Sequence, residues 1–213
     1  MTDAPLTDEL TAAAVLDSET VFRGRVWNIR RDRVQYGDQT IVREYMDHTG
    51  AVAVLALDDD DRMLLIKQYR HPVRARDWEI PAGLLDVADE DALGAAQREL
   101  AEEADLVADR WAVLSEFYTT PGGSDEAIRI YLARGLRASH EIFARTDEEA
   151  DIEVRWVALD EVVDAVLDRR LQNPSLVVGA LAAFTARARG WSTLAPPDAP
   201  WSRRSRTIGA DDA

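Results

Sequence analysis

The chain has 213 residues, 46% of them apolar, and no cysteine; 25 Lys plus Arg face 40 Asp plus Glu, a formal net charge of −15. Such a chain is long enough for one sizeable domain with an extension, with a core that needs no disulfides and no thiolate metal site. The acidic balance argues against sequence-tolerant nucleic-acid binding. The acidic N-terminal residues lack a signal peptide's basic region, and no run approaches the roughly 20 apolar residues of a membrane helix, so a cytoplasmic, soluble protein is expected, with no nucleic-acid or membrane partner.

Residues 1–17, with an Ala-rich stretch at 11–16, read as a frayed or partly helical lead-in. β-formers alternate with polar residues over 25–36 and 40–48, separated by a turn at Gly37-Asp38, which predicts a small antiparallel unit. The apolar run 51–57 is a buried strand, and 63–66 runs back from it. Between them the acidic run 58–61 reads as a solvated hairpin turn, because four consecutive carboxylates cannot meet at one point. Helical spacing of Leu93, Ala96, Leu100 and Ala104 predicts a helix over 91–104, with Asp89 as its cap. Strands are predicted at 111–118 and 127–134, around a loop at 119–126, and at 152–156. Helices follow at 160–170 and from Asn173-Pro174, with Pro in the favoured first position. Past Gly190 the tail, rich in Pro, Ser, Arg and Asp, reads as disordered. Mixed strands and helices without regular βαβ alternation suggest an α+β sandwich.

The helix at 91–104 carries the chemistry. Glu99, Glu102 and Glu103 stand at i, i+3 and i+4 and project from one face, with Arg98 as the helix's sole cation. A solvated acidic face would satisfy that pattern by itself. The preceding turn 81–86, however, can bring a backbone carbonyl close, and hard cations such as Mg²⁺ take carboxylate and carbonyl oxygens. Gly83, six residues, Glu90, seven residues, then Arg98-Glu99-Leu100-Ala101-Glu102-Glu103-Ala104-Asp105-Leu106 resembles the Nudix box. Two positions depart from the usual pattern. The first spacer is one residue longer, with Asp89 at the standard glutamate position, and Asp105 replaces a glycine that would end the helix left-handed, a conformation Asp tolerates better than most residues.

The resemblance extends over roughly residues 19–184 to the ADP-ribose pyrophosphatase branch of the Nudix hydrolases. It is carried by Gln68-Tyr69-Arg70, by Trp78-Glu79-Ile80-Pro81-Ala82-Gly83, by the Pro121-Gly122-Gly123-Ser124-Asp125-Glu126 loop and by the acidic Glu148-Glu149-Ala150-Asp151 segment. It implies an α/β/α sandwich with a mixed sheet over 49–190 and an N-terminal β extension over 1–48, which members exchange across a homodimer. It implies Mg²⁺, with Mn²⁺ as a substitute, held by the Ala82 carbonyl, Glu99, Glu102 and Glu103. Glu149, or its neighbour Glu148, would be the base; Arg98 would orient the box carboxylates, with Glu90 supporting them. Arg70 would meet phosphate, Trp27 and Arg43 would grip adenine, Glu79 would belong to the substrate site, and Asp125 and Glu126 would shape the terminal ribose end. The implied reaction is hydrolysis of ADP-ribose to AMP and ribose 5-phosphate.

Each assignment has a simpler counterpart: a core tryptophan for Trp27, surface ion pairs for Arg43 and Arg70, a solvated loop for Glu148-Glu149, a hairpin turn for Pro121-Gly122-Gly123. His48, His71 and His140 lack ligand spacing and read as structural. Two other functions stay open: hydrolysis of another nucleoside diphosphate derivative, such as a nucleotide sugar or a dinucleotide, and non-catalytic sensing of ADP-ribose.

Overall fold

The computed structural model describes residues 5–140 and 151–202, which divide into two compact units, residues 5–48 with 120–125 and residues 49–119 with 126–140 and 151–202. The first is a meander of β1 (Ala14–Arg23), β2 (Asn28–Tyr36) and β3 (Gln39–Asp47), all antiparallel. The Ala-rich lead-in is therefore a strand from Ala14 rather than a helical turn. Cross-strand ion pairs hold the meander: Arg31 reaches Glu19 at 2.9 Å and Glu44 at 2.6 Å, although such exposed pairs contribute little each. The loop at 120–125 joins this unit through β3. The Met46 amide donates to the Gly123 carbonyl at 2.9 Å and the Asp125 amide to the Met46 carbonyl at 3.3 Å.

The second unit contains β4 (Ala51–Ala56), β5 (Arg62–Arg70), β6 (Ala75–Glu79), β7 (Ala82–Leu84), α1 (Ala92–Ala104), β8 (Leu106–Tyr118), β9 (Ala127–Ala138), β10 (Glu153–Ala158), α2 (Leu159–Leu167) and α3 (Pro174–Ala188). Its strands form a mixed sheet ordered β7-β4-β9-β8 and an antiparallel sheet ordered β10-β5-β6. Within the first, β4 and β9 run parallel, with Ala51 opposite Ile128 and Ala56 opposite Ala133. Every residue of β4 is buried, because both of its faces are covered, which is why the run reads as continuous rather than alternating. Ala53 and Leu55 face a core completed by α2 and α3 through Val162, Leu176 and Ala180. Val52 and Val54 face the other core, completed by α1 through Ala95, Ala96 and Leu100. This is the expected α+β sandwich. No helix among the described residues is long and apolar enough to cross a membrane.

Three local readings change. Asp91, not Asp89, caps α1: its side chain accepts from the Gly94 amide at 2.6 Å, while Asp89 holds a left-handed turn at φ 63°. Helix α2 ends at Leu167, short of the predicted Arg170. The disorder expected past Gly190 does not hold for residues 191–202, which pack on β8 and β9. The Val113 amide donates to Ala195 at 2.9 Å and the Ala195 amide returns to Val113 at 3.2 Å. Buried Arg129 donates to the Ala199 carbonyl at 2.9 Å, and its guanidinium lies 4.8 Å from the Trp201 ring. Polar composition suggested disorder, but Trp191 and Trp201 anchor the segment to the two cores.

Candidate active site

Helix α1 is fixed at both ends. Asp91 caps its start, and Asp105 ends it in the left-handed conformation at φ 54°, donating its amide to the Ala101 carbonyl at 3.0 Å. Packing of Ala95, Ala96 and Leu100 sets the helix's rotation. Glu99 and Glu103 follow Ala95 at i+4 and i+8, so they turn inward with it; Glu99 is 9% and Glu103 4% exposed. Glu103 accepts from the Ala82 backbone amide at 2.9 Å. Glu99 lies against Gly83 so closely that a Cβ there would overlap its carboxylate. The glycine of the motif is thus required for the approach of strand β7 to the helix.

Arg98 binds the rest of the acidic set. Its guanidinium forks onto Glu90 with two bonds of 3.0 Å, and donates to Glu99 at 2.5 Å and to Glu102 at 3.2 Å. Hydrogen bonding to Glu90 is the first cause that raises its pKa above the ordinary arginine value; it is a permanent cation. Arg98 draws Glu99 and Glu102 to itself while Glu103 turns to the Ala82 amide. Consistent with that, no three acidic or histidine side chains among the described residues converge closely enough to hold a metal ion as they stand. The chemistry of the set nevertheless fits a hard divalent cation. Glu90, Glu99, Glu102 and Glu103 present only oxygen donors, and three carboxylates around one guanidinium, with Glu103 beside Glu99 and Glu102 on the same helix, leave an excess of negative charge.

On the neighbouring sheet, Arg70 ends β5 and Glu79 ends β6. Glu79, 2% exposed, accepts a two-pronged fork from Arg70 at 2.8 and 2.7 Å, and Gln68 approaches the same carboxylate at 3.4 Å. Glu79 therefore acts on Arg70, orienting a guanidinium that stays 41% exposed. Gln68, which the sequence shows as part of the motif but without a site role, shares a strand face with Arg70 at i and i+2. Glu126, also in this unit, accepts from the Thr119 hydroxyl at 2.6 Å.

Trp27, Arg43 and Asp125 lie in the first unit. Trp27 precedes β2 rather than sitting in a strand, and is 37% exposed. Arg43 is exposed on β3 and donates to the Val42 carbonyl at 2.8 Å. Asp125 accepts from the His48 amide at 2.8 Å; burial raises its carboxyl pKa, and that bond only partly offsets the effect. Glu148 and Glu149, the expected base and its alternative, lie outside the described residues.

A family model for the NUDIX domain matches residues 47–176. The chain belongs to the Nudix family. Among curated relatives, the ADP-ribose pyrophosphatase of Mycobacterium tuberculosis (strain ATCC 25618 / H37Rv) is 40% identical over 92% of this chain and 94% of its own length. The ADP-ribose pyrophosphatase of Bacillus subtilis (strain 168) is 34% identical over 73% of this chain and 83% of its own. The methanol dehydrogenase activator of Bacillus methanolicus is 35% identical over 76% and 88%. A solved structure titled as an ADP compounds hydrolase superposes with a TM-score of 0.71 over 86% of this chain and 99% of that chain, at 21% identity, which speaks for the Nudix fold alone. Hydrolases of this family generally use a divalent metal.

Proposed function

We propose that this Nudix hydrolase cleaves the pyrophosphate bond of ADP-ribose, giving AMP and ribose 5-phosphate. The observation that carries the reading is the buried pairing of Glu99 with Gly83 and of Glu103 with the Ala82 amide, which sets an acidic helix against the turn that opens the box. Relatives named for ADP-ribose, similar over most of this chain, support the choice of substrate. The Ala82 carbonyl, Glu99, Glu102 and Glu103 would hold Mg²⁺, which when bound supplies positive charge at the diphosphate and acidifies the attacking water. Arg98 bridges Glu90, Glu99 and Glu102 and orients them. Arg70, aimed by Glu79, offers a guanidinium suited to phosphate oxygens. Glu149, or Glu148, takes the proton of the water; Trp27 and Arg43 serve adenine, and Asp125 and Glu126 the terminal ribose.

Kinetics of conservative variants test the roles. Glu103→Gln keeps shape and removes one charge, so kcat falls by orders of magnitude while the fold survives. Glu149→Gln lowers kcat by about 10² to 10⁴, the usual cost of a lost general base, with little change in KM. A large effect from Glu148→Gln instead moves the base by one residue, and near-normal turnover of Glu103→Gln with Mg²⁺ contradicts the metal assignment.

The protein is further proposed to be a homodimer formed through the N-terminal sheet. Strand β1 is exposed along almost its whole length, including Val15, Leu16, Val21 and Phe22, and an open apolar edge of this kind invites pairing with another chain. Sedimentation at micromolar concentration should give a dimer, and Val21→Lys with Phe22→Lys should give a folded monomer. A wild-type monomer rejects the assignment.

A further inference from the structure

At the end of the mixed sheet away from the box lies a cleft of about 220 Å³. The ends are distinguished by β4: its Ala51–Ala53 stretch pairs with β7, which carries Gly83, whereas Ala56 pairs with Ala133, next to Arg134. Ala112 and Leu132, directly opposite each other on β8 and β9, line the floor, Trp191 and Leu194 from the segment after α3 line the wall, and Arg110 and Arg134 stand at the rim.

The rim is electrostatically unfinished. Arg110 and Arg134 are cross-strand partners, and like charges directly opposite on an antiparallel pair are destabilising. Their neighbours do not fully compensate. Asp109 bonds to Arg137 at 2.5 Å and also feels the charge of nearby Arg110, so it is shared between them. Asp61 is 3.7 Å from Arg134 and is shared with Arg187 at 3.5 Å. The Arg134 Nε is buried and has no hydrogen-bond acceptor among the described residues, and its guanidinium lies 5.1 Å from the Trp191 ring. Two guanidinium groups that share the Asp61 and Asp109 carboxylates with Arg187 and Arg137, beside an otherwise apolar lining, suit an anionic head on a flat apolar body.

We propose that this cleft is a second ligand site, distinct from the box, for a small aromatic anion whose carboxylate or phosphate lies between Arg110 and Arg134 and whose ring rests on Trp191, Ala112 and Leu132. The volume fits a single ring with its charged group and is below the usual range of pockets for drug-sized ligands, about 300–1,000 Å³.

The test is a titration of the full chain, without divalent metal, by benzoate and by phenyl phosphate, with inorganic phosphate at equal ionic strength as the ringless control. Binding is followed by the indole ¹H–¹⁵N resonance of Trp191, assigned with Trp191→Phe. Saturable shifts are expected with at least one of the two aromatic anions, and the stronger of the two identifies the preferred head group. Arg110→Ala should weaken that binding about tenfold or more, as expected for a lost charge-assisted contact, and Arg134→Met should do the same. Arg110 is exposed, so Arg110→Ala decides the matter even if Arg134→Met fails to fold. An equal response to inorganic phosphate, unaltered affinity in Arg110→Ala, or no saturable shift with either aromatic anion overturns the proposal.

Discussion

Replacing Arg98 with Met removes the cation that binds the box carboxylates together, and its cost can be worked from the contacts. Four bonds are lost: two of 3.0 Å to Glu90, one of 2.5 Å to Glu99 and one of 3.2 Å to Glu102. A bond to a charged group contributes about 1.5–3 kcal/mol, but four bonds from one side chain do not add. Removing one partner of a buried pair costs about 3–5 kcal/mol. Arg98 is 29% and Glu102 35% exposed on the side chain, so water recovers part of this, which places the loss near the low end, about 3 kcal/mol. In urea with a chelator, and with a slope of about 2–3 kcal/mol/M, the midpoint should fall by about 1–1.5 M. Added Mg²⁺ should then restore more stability to Arg98→Met than it gives to the wild type, because the freed carboxylates gain more from a bound cation. Arg98→Lys keeps the charge but cannot fork onto Glu90, and should lie between the two. A loss below about 1 kcal/mol, or equal Mg²⁺ effects on both proteins, would refute the reasoning: the cluster would then be a solvated acidic face.

Gly83→Ala places a Cβ into the Glu99 carboxylate, so turnover should collapse while far-UV circular dichroism keeps the wild-type helix content; retained turnover would mean that the close approach has no role. Asp91→Ala removes the cap of α1 and should cost about 1 kcal/mol in urea melts. Asp125 has a carboxyl pKa raised by burial, so its protonated form favours the fold: that stability is complete below the unfolded pKa and is lost as pH rises through the raised folded value. Asp125→Asn stays neutral and can still accept from the His48 amide, so at neutral pH it should be at least as stable as wild type, with the advantage shrinking as pH falls through the carboxylate range.

The parts of the fold legible in the sequence are those where one period dominates. The continuous apolar run of β4 and the spacing of Ala96, Leu100 and Ala104 fixed a strand buried on both faces and a helix with one buried side, and the box motif located the acidic cluster within that helix. What escaped depends on partners distant in the chain. Nothing local shows that Glu79 is buried beneath Arg70 with Gln68 beside it, since that trio exists only once β5 and β6 pair in register. The segment 191–202 looks disordered because its Pro, Ser and Asp are polar, yet Ala195 pairs with Val113 and Trp201 covers Arg129 across more than seventy residues. Asp89 and Asp91 are equivalent as caps by residue type, and backbone conformation alone decides between them.

The central claim, cleavage of the ADP-ribose pyrophosphate, is tested most directly by ³¹P NMR of reactions containing Mg²⁺ and a panel of substrates: ADP-ribose, a nucleotide sugar and a dinucleotide. ADP-ribose should have the highest kcat/KM, its diphosphate resonances should be replaced by those of AMP and ribose 5-phosphate, and chelation should stop the reaction. Higher kcat/KM for another diphosphate in the panel, or ADP-ribose left intact by a folded, Mg²⁺-supplied protein, would contradict it.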